Sequence, residues 1–242
     1  MKTTEDRFLD ARVIVRQPAR GFRAGLDAVM LAAAVPARDG DEMLELGAGV
    51  GTASLCLASR VRCSVIGIEI DEGLAELANE NAAANGMADR ARFIAGDALA
   101  PPTALRRAFD HVFCNPPFHD ERGRGSPDVA RALAKQDVGS LKQWLSSGRK
   151  RTHPKGTFTT IIRADRLNEA LAVLSATGIS ILPLWPSRSE AAKRVILQCR
   201  PGSRAPMALL PGLVLHENGG NTPDAEAILR GRACLARHFT GL

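Results

Sequence analysis

Two rhythms of apolar and polar positions alternate along this chain. Short apolar runs recur at Glu42–Leu46, Ser64–Glu69, Ala91–Ala95, Phe109–Cys114, Gly156–Ile162, Ile179–Trp185 and Arg194–Cys199. Each is short and bounded by turn or polar residues, and most are rich in Val, Ile and Phe, the signature of a buried strand. Between them lie stretches with apolar residues at helical spacing, at Leu26–Val35, Ala53–Arg60 and Asp71–Gly86. In the last of these, Leu74, Leu77 and Ala78 share a face, and Asn85-Gly86 supplies the stop. Strand and helix alternate from residue 42 to 185, which predicts parallel βαβ winding. The final two strands are joined by a short polar loop and are therefore expected to run antiparallel. The pattern predicts an α/β fold: a seven-stranded, mostly parallel sheet with an antiparallel last strand and helices on both faces. Residues 1–24 read as a polar, strand-like lead, 25–205 as the α/β domain, and 206–242 as a C-terminal appendage packed on it. The appendage contains a turn at Gly219-Gly220-Asn221 and a helix with Pro223 in its first turn. His119–Val138 reads as a charged insertion.

Candidate chemistry collects at the C-terminal ends of the first four strands. The first runs into Glu45-Leu46-Gly47-Ala48-Gly49-Val50-Gly51-Thr52. Glycines there let the chain turn sharply and let a ligand approach the backbone, and the following helix aims its N–H groups at the same place. The spacing is G-x-G-x-G, whereas the dinucleotide fingerprint is G-x-G-x-x-G, and Glu45 precedes the first glycine by two. That set suits a cofactor carrying an ammonium group better than a pyrophosphate. Glu69 ends the second strand, where an acid can take both hydroxyls of a ribose. Asp97 follows the third and could accept from an adenine amino group. The fourth ends in Asn115-Pro116-Pro117-Phe118. Two prolines stop the sheet and make a stiff turn. An amide oxygen, a proline carbonyl and an aromatic face beside one another suit a planar group with an exocyclic NH2. In an open parallel sheet all four ends line one crevice.

These residues together resemble the class I S-adenosylmethionine-dependent methyltransferases of the NPP[FY] group, which methylate amino nitrogens. Glu45 to Gly51 matches that family's first motif, Glu69 its ribose-binding acid, Asp97 its adenine-binding acid, and Asn115 to Phe118 its catalytic motif. The resemblance implies a Rossmann-like sheet and S-adenosyl-L-methionine as cofactor. It also implies a transfer in which the Asn115 amide oxygen and the Pro116 carbonyl hold the accepting amine while Phe118 stacks on its ring. Gln17 to Leu31 and Leu215 to Leu229 are similar to bacterial enzymes that make N6-methyladenine in the anticodon loop of a valine tRNA, which implies an RNA partner. Phe118-His119 is similar to the ribosomal guanine-N2 methyltransferases, so rRNA stays open as a substrate, as does a protein glutamine amide. In the stretch from Gln17 to Asp27, two readings stand. One is a capped helix with Phe22 packed on it. The other is a lid over the methionine end of the cofactor, with Arg23 or Asp27 beside its ammonium or carboxylate.

Composition narrows the rest. The chain has 242 residues, 45% of them hydrophobic, and no apolar run of the roughly 18 residues a membrane span needs. The first residues are polar and acidic, so no signal peptide is expected. The cysteines at 56, 63, 114, 199 and 234 show no metal-ligand spacing. They read as reduced core residues of a cytoplasmic protein without a metal site. The net charge of +6 permits a nucleic-acid partner. Three cationic groups are expected at the crevice edge: Arg16, Arg20 and Arg23; Arg122, Arg124 and Arg131; and Arg188, Lys193 and Arg194. The densest run, Arg149-Lys150-Arg151 with His153 and Lys155, leads into the fifth strand. It is expected at the opposite edge, as a solvated rim.

Overall fold

The computed structural model describes residues 2–21, 23–117, 140–174 and 178–239. A mixed sheet forms the middle layer. Its strands are β3 (Glu42–Leu46), β4 (Ser64–Glu69), β5 (Ala91–Ala95), β6 (Phe109–Cys114), β7 (Thr152–Arg163), β8 (Ile179–Trp185) and β9 (Arg194–Cys199). Their spatial order is β8-β9-β7-β6-β3-β4-β5. All neighbours pair in parallel except β9, which runs antiparallel between β7 and β8. The seven expected strands are thus present. Two short ones extend the sheet: β10 (Ala208–Leu209) and β11 (Leu213–Val214) pair in parallel with β8. Two-residue strands leave no periodic trace in a sequence, since their pairing is dictated by the free edge of β8.

Helices cover both faces. On one lie α1 (Leu26–Ala34), α2 (Thr52–Ala58) and α3 (Glu72–Ala84), and on the other α4 (Leu141–Lys150) and α5 (Leu167–Leu174). The strands feed the two cores alternately: Met43 and Phe113 point to the first, Leu44 and Val112 to the second. Helix α3 begins where its sequence says it should. The Asp71 carboxylate accepts from the Leu74 N–H at 3.0 Å, and past Asn85 the chain turns at Gly86 with φ +64°.

The lead is a hairpin of β1 (Thr3–Phe8) and β2 (Val13–Pro18), seated on α3. The C-terminal stretch forms a small hairpin, β12 (His216–Glu217) and β13 (Gly220–Asn221), then helix α6 (Pro223–Leu229) packed on α1. Thr222 caps α6 by accepting from the Ala225 N–H. Leu213, Leu215, Ala225, Ile228, Leu235 and Phe239 are buried in the same core as α1.

Candidate active site

Sheet register sets the site. Leu46 at the end of β3 pairs with Cys114 on β6 and with Ile68 on β4, and Glu69 pairs with Ala95 on β5. Hence Asn115, the glycine turn, Glu69 and the Asp97 loop emerge side by side from four adjacent strands. The glycine turn is pinned from below: the Ile68 carbonyl accepts from both Gly47 and Ala48 N–H groups at 2.9 Å.

Gly47, Gly49 and Gly51 have φ of +71°, +55° and +83°. All three occupy the left-handed region that side chains avoid. Their surroundings differ. A Cβ at Gly47 would lie 2.8 Å from the Trp144 ring on α4, and one at Gly51 would lie 2.6 Å from the Phe93 ring on β5. A Cβ at Gly49 would meet nothing within 4 Å. Two glycines therefore give room to packed aromatics, and the middle one keeps the backbone bare toward the crevice. Trp144 had no apparent role in the sequence. Its only signal was scarcity, as one of two tryptophans in the chain.

Glu69 is 9% exposed. Its two oxygens accept from Gly49 N–H at 2.8 Å and Asp71 N–H at 3.0 Å. Burial raises its pKa, and these backbone donors oppose the rise. Each oxygen retains acceptor capacity for a hydroxyl. Asp97 is exposed, and its Oδ1 accepts from Leu99 N–H at 2.7 Å.

Glu45 differs from expectation in its surroundings. It is 3% exposed, and its Oε2 accepts from the backbone N–H and the hydroxyl of Ser54 on α2. Burial pushes its pKa up to about 8 against the pull of Ser54, with the nearby Glu69 charge adding to the rise. Near neutral pH this carboxyl is mainly protonated, so it fixes the start of α2 but offers little charge to an ammonium.

Asn115 is half-buried, and Pro116 behind it is buried. The Asn115 Oδ1 atom is itself buried and has no hydrogen-bond partner among the described residues. A buried amide oxygen without a donor costs about 1–3 kcal/mol, so its persistence asks for a ligand N–H. The Thr52 hydroxyl, at the start of α2, is also buried without a partner. Together the bare Gly49 backbone, the ribose-competent Glu69, the exposed Asp97 and the orphaned Asn115 oxygen fit an adenosyl cofactor with a reacting amine beside it. Cys114, just before Asn115, is a buried thiol donating to Thr160 Oγ1 at 3.4 Å, its pKa pushed up to about 12 by burial. Such a thiol is inert.

Several of the other expected residues have partners within the protein. Arg23 donates to the Pro18 carbonyl at 2.9 Å and pairs with Asp6 across the hairpin. Asp27 pairs with Arg194 Nε at 2.9 Å. Arg188 pairs with Glu217 and Lys193 with Glu190. Phe22, Phe118, His119, Arg122, Arg124 and Arg131 lie outside the described residues. Among the described residues no three His, Cys, Asp or Glu side chains gather as a metal site, and no helix is long and apolar enough to cross a membrane.

The family model for the methyltransferase small domain matches residues 24–145. A tRNA1(Val) (adenine(37)-N6)-methyltransferase of Shewanella sp. strain W3-18-1 is 29% identical over 188 residues, 76% of this chain and 74% of that one. An enzyme of the same name from Bacteroides fragilis is 29% identical over 184 residues, 75% of this chain and 73% of its own. Among solved structures, a protein of Agrobacterium tumefaciens described as a predicted O-methyltransferase superposes with a TM-score of 0.71 at 24% identity, covering 86% of this chain and 97% of that one. That likeness establishes the shared fold.

Proposed function

The chain belongs to the methyltransferase small-domain family, and from that premise we propose that it moves a methyl group from S-adenosylmethionine to the exocyclic N6 of an adenine in a tRNA anticodon loop. The observation that carries this reading is the buried Asn115 Oδ1 at the end of β6, beside the glycine turn and without a hydrogen-bond partner among the described residues. Relatives bearing the tRNA adenine-N6 name, similar over three quarters of the chain, support the choice of base and RNA.

Gly47, Gly49, Glu69 and Asp97 hold the cofactor, with Gly49 as the point of closest backbone approach. S-adenosylmethionine brings a methyl group already activated by its positive sulfur. The chain's own task is orientation. An aromatic amine is a poor nucleophile because its lone pair is spread into the ring. Asn115 Oδ1 accepts one of its hydrogens and the Pro116 carbonyl the other, drawing the nitrogen toward tetrahedral geometry. The same acceptors stabilise the positive charge that grows as the N–C bond forms and the S–C bond breaks. The surplus proton then leaves to solvent, so no strong base is needed. Phe118 stacks on the base, worth roughly 1–3 kcal/mol. The base must be turned out of the loop to reach this turn.

The test is nucleoside mass spectrometry of tRNA and rRNA from a deletion strain, paired with transfer assays on an unmodified valine-tRNA transcript. N6-methyladenine should vanish from tRNA. Asn115→Ala should lower kcat at least 100-fold, about 3 kcal/mol of transition-state stabilisation, while S-adenosylhomocysteine still raises the melting temperature. Loss of N2-methylguanine from rRNA instead, or near wild-type turnover by the variant, would defeat the reading.

A further inference from the structure

Most of the described cations expected at the crevice edge are held by acids: Arg16 pairs with Glu80, and Arg20 alone among them is exposed with no ion pair among the described residues. At the C-terminal edge of the sheet, Arg23, Arg188, Lys193 and Arg194 each pair with an acid of the same edge. In sequence, residues 118–139 carry Arg122, Arg124, Arg131 and Lys135 against Asp120, Glu121, Asp128 and Asp137, a balance of zero.

The opposite edge is different where β6 and β7 begin. The β6 strand enters through Arg106 and Arg107, and α4 ends in Arg149 and Lys150. The Phe109 N–H donates to the Arg151 carbonyl at 2.8 Å, which brings the two connections together. The pairing then jumps from Thr152 to Thr157 against Phe109 and His111, so residues 153–155 stand exposed, Lys155 among them. The nearby acids are engaged. Glu42 holds Arg107, and Asp110 accepts from the Glu42 N–H. No ion pair forms at Arg106, Arg149, Lys150, Arg151 or Lys155 among the described residues. Arg151 is half-buried: its guanidinium donates to the Ser147 carbonyl at 3.0 Å and hydroxyl at 2.9 Å, and its buried Nε has no partner among the described residues. Burial lowers the Arg151 pKa, and the positive charge of Arg106 adds to the fall. Like charges gathered without carboxylate partners attract an anion.

We propose that this corner is a second RNA-binding surface, on which Arg106, Arg149, Lys150, Arg151 and Lys155 grip the phosphate backbone of a substrate arm while its base is engaged at Asn115. The inference rests on the RNA reading above and adds where the RNA is held. The six residues of β6 place the corner roughly 20 Å below Asn115, at about 3.3 Å per residue. A full tRNA spans this, and a minimal anticodon stem-loop reaches less of it. Phosphate contacts of this kind position the RNA without reading its sequence.

The test is filter binding of a full-length valine-tRNA transcript and of its isolated anticodon stem-loop across a salt series. Lys150→Glu with Lys155→Glu is the informative variant, since both side chains are exposed. It should bind full-length tRNA on the order of tenfold more weakly, with the log–log salt slope shallower by roughly 0.7–0.9 per lost contact. Stem-loop binding should change much less. The RNA KM should rise, with kcat and the S-adenosylhomocysteine melting shift kept. Arg188→Glu should cost less than twofold. Wild-type affinity and slope in the double variant, or equal losses for stem-loop and full tRNA, would overturn the proposal. If the wild-type protein methylates no RNA yet the double variant still loses tRNA binding, the reaction assigned above fails and the surface stands.

Discussion

Glu45 shows how one buried carboxyl ties the cofactor turn to pH. Its pKa rises from the ordinary 4.5 to about 8 because burial penalises the charged form more than Ser54 rewards it. The folded protein thus holds a proton there that the unfolded chain releases. Between these two values stability must fall as pH climbs, by linkage. Glu45→Gln keeps the shape and an acceptor for Ser54 but removes the titration. From pH 5.5 to 8.5 the wild type should lose at least about 3 °C more in melting temperature than the variant, roughly 1 kcal/mol for a domain of this size. Parallel melting curves over that range would refute the account. The sequence marked Glu45 through its place before the glycines, but not what it touches. Ser54 is nine positions away and meets it only once α2 folds back. Asn115, Gly49 and Glu69 can be singled out in the sequence because the turn on which each sits is a local pattern. Trp144 was not, because its contact with Gly47 spans nearly a hundred residues. For Arg23 and Asp27 the sequence leaves the capped-helix and the lid readings both open, because nothing local announces Asp6 or Arg194 as partners.

The strands and α3 could be read from the sequence, because period, caps and stops are local. The hairpin lead could be read only as strand-like, since its support comes from elsewhere. The outer edge of β2 is finished by two amides of α3. Asn85 accepts from the Ile14 N–H at 2.9 Å and donates to the Ile14 carbonyl at 2.6 Å. Asn81 does the same for Arg16 and also donates to the Val50 carbonyl at 3.1 Å, next to the glycine turn. Two side chains thus stand in for a neighbouring strand and keep the edge from pairing with another chain. The hairpin tip carries Leu9, Asp10 and Ala11 at φ of +55°, +57° and +60°, a costly run for residues with a Cβ. Asp10 pairs with Arg230 and Arg232, which holds the tip in place. Asn81→Ala should cost about 2–4 kcal/mol, because it strands buried backbone groups of β2 and of the Val50 turn. Urea unfolding should show it, and the Arg16 amide should exchange faster. A loss below about 1 kcal/mol would mean that the hairpin rests on its apolar side chains alone.

At the scale of the molecule, two polarities are built into one sheet: a bare glycine turn and the Asn115 amide at the C-terminal ends of its parallel strands, and, among the described residues, cations without ion pairs at the N-terminal corner of β6 and β7. The family model stops at residue 145, yet the core does not. Leu235 N–H donates to the Ala33 carbonyl at 2.8 Å, closing the end of α1, and Trp185 Nε1 donates to the Pro211 carbonyl at 3.4 Å. Leu213, Leu215, Ile228, Leu235 and Phe239 are buried with α1 and α2, the helices that frame the glycine turn. At about 1.5–3 kcal/mol for each buried side chain, these residues account for roughly 10 kcal/mol. That is comparable to the entire stability of a typical domain, about 5–15 kcal/mol. A chain ending at residue 205 should therefore show no sharp thermal transition by circular dichroism and no melting shift with S-adenosylhomocysteine. The full chain should show both, the shift growing with ligand concentration by mass action. A fragment that melts cooperatively and binds the ligand would make the C-terminal stretch a separable attachment. Unfolding of the fragment would make it the part of the core that keeps α1 seated beneath the cofactor turn.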